Sequence, residues 1–249
     1  MENATPLSSP DLKSEIDNYS HFLSEARKRL IFTLCVFAAA TIAGFFFYEK
    51  IIRFLINILN LKGVNIVFTS PFQFINLAIS CGLAIGLIVS FPLLVFQVLS
   101  FLKPALRAKE FKTVINFLPF SLILFLTGFI FGTLIMKWQI KIFLDRSLAL
   151  GIGNVLDISR LLTTVLMVSA LMGIAFEFPL FLLFLLKFGI IKLQQLVKFR
   201  RWIYLGSFIF AILLPADSIL ADIFLSLPLI ILFELTLILN RLQKNRFLC

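Results

Sequence analysis

Residues 72–102 read FQFINLAISCGLAIGLIVSFPLLVFQVLSFL, thirty-one consecutive positions without a charged side chain. About twenty apolar residues in a helix cross the ~30 Å hydrocarbon core of a bilayer, so this stretch is a membrane span with length to spare. The surplus, together with Pro92 inside it, predicts a strong tilt or a kink. Five further apolar blocks flank it: Leu30 to Tyr48, Val114 to Met136, Leu161 to Leu186, Trp202 to Leu214 and Ile219 to Leu239. The fold class that follows is all-α, a polytopic membrane protein with six transmembrane helices. The fifth block is short. From Trp202 to Leu214 it offers 13 residues, about 20 Å of helix, before the turn signal Pro215-Ala216-Asp217-Ser218.

Composition excludes a soluble globule. Of the 249 residues 60% are hydrophobic and 14% charged, where a soluble domain carries about a quarter charged. No connecting stretch is long enough for a separate catalytic domain. Three regions are expected: a cytoplasmic N-terminal segment at 1–29, a six-helix domain at 30–239 and a basic cytoplasmic tail at 240–249. Residues 1–29 hold five acidic and four basic side chains, unlike a cleavable leader, so targeting is expected from the first span. Between Glu49 and Ser70 a structured loop with a short helix is expected, and Lys137 to Arg160 reads as a mixed loop. Cys35, Cys81 and Cys249 are too scattered for a disulfide framework or a metal site; the first two read as packing residues.

Lysines and arginines set the orientation. The N-terminal segment, second and fourth loops and tail hold 16 of them, and the other loops 7. The positive-inside rule places both ends in the cytoplasm. That uneven distribution also accounts for the net charge of +10 without nucleic acid as a partner. Two small-xxx-small patterns, Gly82 to Gly86 and Gly128 to Gly132, suit close helix approach, although glycines are common in membrane helices.

Signatures of catalysis are missing: there is no HExxH, GxSxG, CxxC or Walker loop, and His21 lies outside the spans. Neither an enzyme nor a metal or cofactor is expected. The informative residues are carboxylates. Within a span each of Glu177, Asp222 and Glu234 costs several kcal/mol unless partnered, hydrated or protonated. After Glu177, the sequence Phe178-Pro179 removes an N–H and frees a carbonyl one turn earlier. Glu177 is therefore either a polar site inside the membrane or a residue that only fixes packing. Asp217 and Asp222 read equally well as turn or cap residues. Glu25 and Glu110 sit among basic residues, where a carboxylate usually makes a weak local ion pair. A solute transporter relaying protons through Glu177 and Glu234 would call for an inverted repeat, which the loop lengths and charges do not show. An intramembrane enzyme would need two of the three carboxylates within hydrogen-bond reach.

The motifs, in order, resemble one family. They are His21-Phe-Leu-Ser-Glu25-Ala-Arg27-Lys-Arg29-Leu30, Ser70-Pro71-Phe72, Phe101-Leu-Lys-Pro104-Ala-Leu106 with Glu110, Phe176-Glu177-Phe178-Pro179, Arg200-Arg201, Leu214-Pro215-Ala216-Asp217, and Pro228 six residues before Glu234. Together they resemble TatC, the receptor core of the twin-arginine protein translocase, over nearly the whole chain. The resemblance implies a concave, cup-like bundle with short fifth and sixth helices. It implies no catalysis, and instead binding of twin-arginine signal peptides of folded proteins, nucleation of the translocation complex and drive from the proton-motive force. Glu25 and Glu110 would hold the two arginines, with Arg27 and Phe101 shaping that site, since a carboxylate accepts a guanidinium fork bidentately. Glu177, with Asp217 and Glu234, would form an intramembrane polar site facing a partly wet cavity and touching the signal peptide or a partner helix. Partners would be single-span TatA/TatB-type subunits, further copies of the chain and lipid. The location would be the cell inner membrane, with a thylakoid or mitochondrial membrane as the alternative. Departures from the family pattern are Ala221 where a glutamine is frequent, Gln73 where a nearby acidic residue is frequent, and Ser24 in the stretch before Glu25.

Overall fold

The structure, a computed structural model, describes residues 9–59, 65–101, 108–151, 155–187, 189, 191–215 and 218–246. Its elements in order are α1 (Ser9–Phe46), α2 (Tyr48–Leu59), β1 (Asn65–Val67), α3 (Gln73–Phe101), α4 (Ala108–Ala149), β2 (Val155–Asp157), α5 (Ile158–Ala175), α6 (Phe178–Lys187), α7 (Leu193–Lys198), α8 (Arg200–Leu213) and α9 (Ile219–Arg246). Among the described residues five stretches are long and apolar enough to span a bilayer: Arg27–Phe46, Gln73–Val98, Pro119–Ala149, Ile158–Leu186 and Ile219–Asn240. The remaining pass, fifth in chain order, is α8, whose 14 residues reach about 21 Å. The chain is a multi-pass helical membrane protein. Its outward surface is apolar, as at Leu30, Phe46, Trp202 and Leu213, because lipid replaces water there.

Glycines set the helix spacing. A Cβ on Gly82 would stand 2.7 Å from the Thr41 carbonyl oxygen, and one on Gly86 2.2 Å from Thr41 Oγ1. In the same way Gly128 meets the Met172 carbonyl at 2.6 Å and Gly132 the Ser169 Cα at 2.8 Å. Both small-residue patterns thus lie on helix contacts, the first between α1 and α3 and the second between α4 and α5. Small residues let backbones approach closely, which matters in lipid because no hydrophobic drive holds spans together. Thr133 and Ser169 share a hydrogen bond of 2.8 Å beside the second contact. The fourth pass is central, with Leu162, Val165, Val168 and Met172 fully buried against Leu77 and Cys81 of α3. Cys81 is the packing residue expected, whereas Cys35 is exposed on α1.

Three elements differ from expectation. Helix α1 begins at Ser9, so much of the N-terminal segment is continuous with the first span. Helix α4 runs 13 residues past Met136, through a stretch that reads as loop. Residues 137–149 contain no glycine or proline, and Ile140, Leu144 and Ser147 keep the core-facing spacing of the helix. The helix stops just before Gly151, whose φ of 68° suits the left-handed turn that ends a helix. Finally β1 and β2 pair in parallel, Ile66 opposite Leu156. This ladder ties the α2–α3 and α4–α5 connections on one face, opposite the face that bears the two chain ends.

Candidate functional site

Glu177 falls where the fourth pass breaks. Helix α5 closes with the Phe176 N–H on the Met172 carbonyl at 3.0 Å and the Glu177 N–H on the Ile174 carbonyl at 3.0 Å. Pro179 has no N–H to give Ala175, so the regular ladder cannot continue and α6 restarts at Phe178. The break turns the Glu177 side chain into the bundle, where it is only 8% exposed. Among the described residues one donor reaches it: Ser121 of α4 donates to Oε1 at 2.8 Å. A carboxylate has about four acceptor sites, so this one retains capacity. It borders a cavity of about 500 Å³ walled by Phe91, Ile174, Phe178, Ile203 and Phe210. Across the cavity Gly206 of α8 leaves the wall open, since a Cβ there would meet nothing within 4 Å. The site therefore offers a mainly apolar space with the Glu177 carboxyl at its edge, beside Ala175 and Ser207.

Glu234 has a different setting. Its two carboxylate oxygens accept from the Arg200 guanidinium and the Tyr204 hydroxyl, both on α8. Arg200 and Tyr204 are one helical turn apart and so share a face. The triad clamps the start of the short fifth pass to α9 near the face that bears the chain ends. Sequence reasoning missed these partners, although Arg200 and Tyr204 at that spacing were a legible signal. It missed Ser121 as well, where a lone hydroxyl in an apolar run gives little to see. Among the described residues no hydrogen bond links any two of Glu177, Asp222 and Glu234. Asp222 sits in the first turn of α9, its N–H on the Ser218 carbonyl at 3.1 Å.

On the face with the chain ends, Glu25 of α1 accepts from Arg29 Nη2 at 2.7 Å and Nε at 3.2 Å. Arg27 is exposed. Phe101 is the last residue of α3 and Glu110 lies in the first turn of α4, with both side chains outside the described residues, as is all of Asp217. The register in which Gly44 meets Gly82, carried along the antiparallel helices, brings Glu25 about level with Phe101.

The opposite face holds a polar knot that the sequence did not announce. Asp157 Oδ2 accepts from Thr69 Oγ1 and from Gln73 Nε2, each at 2.7 Å, while Oδ1 caps α5 through the Arg160 N–H at 3.2 Å. Ser159 Oγ donates to the Gln73 carbonyl at 3.0 Å. Burial raises the Asp157 carboxyl, but the bonds from Thr69, the Arg160 N–H, Gln73 and the Ser159 backbone outweigh it and hold it below the usual carboxylate range. Gln73, where an acidic residue nearby is frequent in the resembled family, thus serves as the donor to Asp157.

A six-pass helical bundle with a carboxyl-edged apolar cavity between its helices defines a multi-pass membrane protein without the paired carboxylates of an intramembrane enzyme among its described residues. Residues 21–228 match the profile of the Sec-independent protein translocase protein (TatC), and the chain belongs to this family, a translocase component rather than an enzyme. It is 29% identical over 230 residues to Sec-independent protein translocase protein TatCy of Bacillus subtilis (strain 168), covering 88% of this chain and 87% of the relative. It is 28% identical over 231 residues to Sec-independent protein translocase protein TatC of Aquifex aeolicus (strain VF5), covering 90% and 95%. A crystal structure of the twin arginine translocase receptor TatC in DDM superposes with a TM-score of 0.79 at 28% identity, over 88% of this chain and 98% of that one.

Proposed function

We propose that the chain is the receptor subunit that binds twin-arginine signal peptides of folded cargo at the cytoplasmic surface of the cell inner membrane and nucleates the translocation complex. The observation that carries this reading is the match of nearly the whole bundle to a solved twin arginine translocase receptor. The signal arginines would bind between Glu25 and Glu110, beside Phe101 and Arg27. Glu25 is held by Arg29 in an i,i+4 pair with the two side chains 31–44% exposed. Such a pair contributes only about 0.3–0.5 kcal/mol, so an incoming guanidinium exchanges with Arg29 at little cost. The apolar part of the signal, or a polar residue on a single-span TatA/TatB-type helix, would enter the cavity beside Glu177. The complex would hold several copies of the chain, and the proton-motive force would drive transport. The short α8 would thin the bilayer beside it.

Crosslinking of a twin-arginine signal peptide to the protein in native membranes tests this reading. Crosslinks should fall severalfold with Glu25→Ala, with Glu110→Ala and with a peptide carrying two lysines in place of the arginines. Crosslinks indifferent to all three changes would overturn it and favour a solute transporter.

A further inference from the structure

Another cavity lies far from the cytoplasmic surface. It has a volume of about 550 Å³ and opens between α4 and α5 on the face that carries the β1–β2 ladder. Met136, Ile140 and Leu161 line its apolar part, and Arg146 and Arg160 bring two guanidiniums to it. Among the described residues neither guanidinium has a carboxylate partner, whereas Arg29, Arg53 and Arg200 each form an ion pair. Asp157 also borders the cavity, but its oxygens are already occupied by Thr69, Gln73 and the Arg160 N–H. Among the lining residues the balance is one excess positive charge.

Depth matters as much as charge. The uncharged run of α4 ends at Met136, and Lys137, Lys141 and Arg146 follow, so Met136 marks the edge of the hydrocarbon. Gly132 packs on Ser169; nine residues further along these antiparallel helices, Arg160 stands about level with Lys141. The cavity therefore passes from hydrocarbon depth at Met136 to headgroup depth at the arginines. Trp138, at the same depth on another face of α4, is 39% exposed and edge-on to Phe224 at 4.9 Å, an amphipathic ring at the level where such rings mark the interface. A planar guanidinium fork matches phosphate oxygens bidentately, and basic pockets between spans hold lipid headgroups.

We infer that this cavity binds one anionic phospholipid of the adjoining leaflet, its phosphate held by Arg146 and Arg160 and its glycerol and upper acyl chain against Met136, Ile140 and Leu161. The bound lipid would brace α4 against α5 beside the Asp157 knot. This inference stands apart from signal-peptide binding at the other face.

The test is native mass spectrometry of the full chain in mild detergent, titrated with phosphatidylglycerol. Wild type should retain one lipid with preference over phosphatidylcholine. The Arg146→Gln/Arg160→Gln double variant should bind at least tenfold more weakly, and Arg146→Gln alone, a change that removes no hydrogen bond seen in the fold, at least threefold more weakly. Arg53→Gln, an exposed arginine on α2 paired with Glu49, should bind as wild type does. Equal binding by wild type and the arginine variants, or an equal loss with Arg53→Gln, would overturn the proposal. So would displacement of the lipid by inorganic phosphate, which would reveal a free-anion site.

Discussion

Glu234 and Glu177 are the same side chain in two adjoining parts of one bundle, and their partners set them apart. Glu234 is closed on both oxygens by Arg200 and Tyr204. Glu177 meets one hydroxyl and an apolar cavity. Their difference teaches that a carboxylate in a span is not by itself a functional site: one whose acceptors are filled from within is a fastener, and one left with capacity beside open space is available to a ligand. The short fifth helix needs such a fastener. At 14 residues it has less lipid-facing and packing surface than any other pass, and its first turn is held by charge.

The largest effect is expected from Glu234→Ala, which leaves the Arg200 guanidinium unpaired. Removing one partner of a buried pair costs about 3–5 kcal/mol. With the side chains 29–36% exposed, solvent screening reduces this to about 1–3 kcal/mol. Thermal unfolding in detergent should show that loss, with protease access gained first near α7 and α8, and the Arg200→Ala/Glu234→Ala double variant should recover part of it. A variant as stable as wild type would erase the distinction between the two carboxylates.

Asp157 provides a third carboxylate, fully partnered but outside the bilayer, and sharpens the comparison through pH. Loss of its cap and its bonds in Asp157→Ala should cost about 1–2 kcal/mol. Because the folded carboxyl is held below its ordinary value, its contribution is complete above the ordinary carboxylate pKa. It is lost as pH falls through the lowered folded value. Wild type should therefore lose more stability than Asp157→Asn between neutral pH and pH 3, and parallel melting curves would show that the knot contributes nothing.

The smallest effect on stability belongs to Glu177. Ser121→Ala removes its one donor and should cost about 1 kcal/mol, and Glu177→Gln, which keeps the shape and an acceptor for Ser121, less than that. Signal-peptide or partner-helix crosslinks into the cavity should nevertheless fall severalfold with Glu177→Gln. Unchanged crosslinks together with a large loss of stability would move Glu177 into the same class as Glu234.

Most of the fold was legible because lipid imposes a one-dimensional constraint. A span must be an apolar run of sufficient length, so six runs such as Phe72 to Leu102 determine six passes, and the basic residues between them predict which ends share a side. Proline after Glu177 marks the break in the fourth pass for the same local reason. The ordered motifs from His21 to Glu234 carried the family resemblance. The continuation of α4 past Met136 was hidden because amphipathic helix and polar loop look alike once the uncharged run ends. What only the tertiary structure decided is who meets whom. Arg200 with Glu234, Ser121 with Glu177 and Gln73 with Asp157 are pairs 34, 56 and 84 residues apart, joined by glycine-set helix contacts and a three-residue ladder. Sequence fixes the cost of placing a carboxylate in a membrane, but whether that cost is offset by a partner depends on packing between distant segments, and that decides fastener or site.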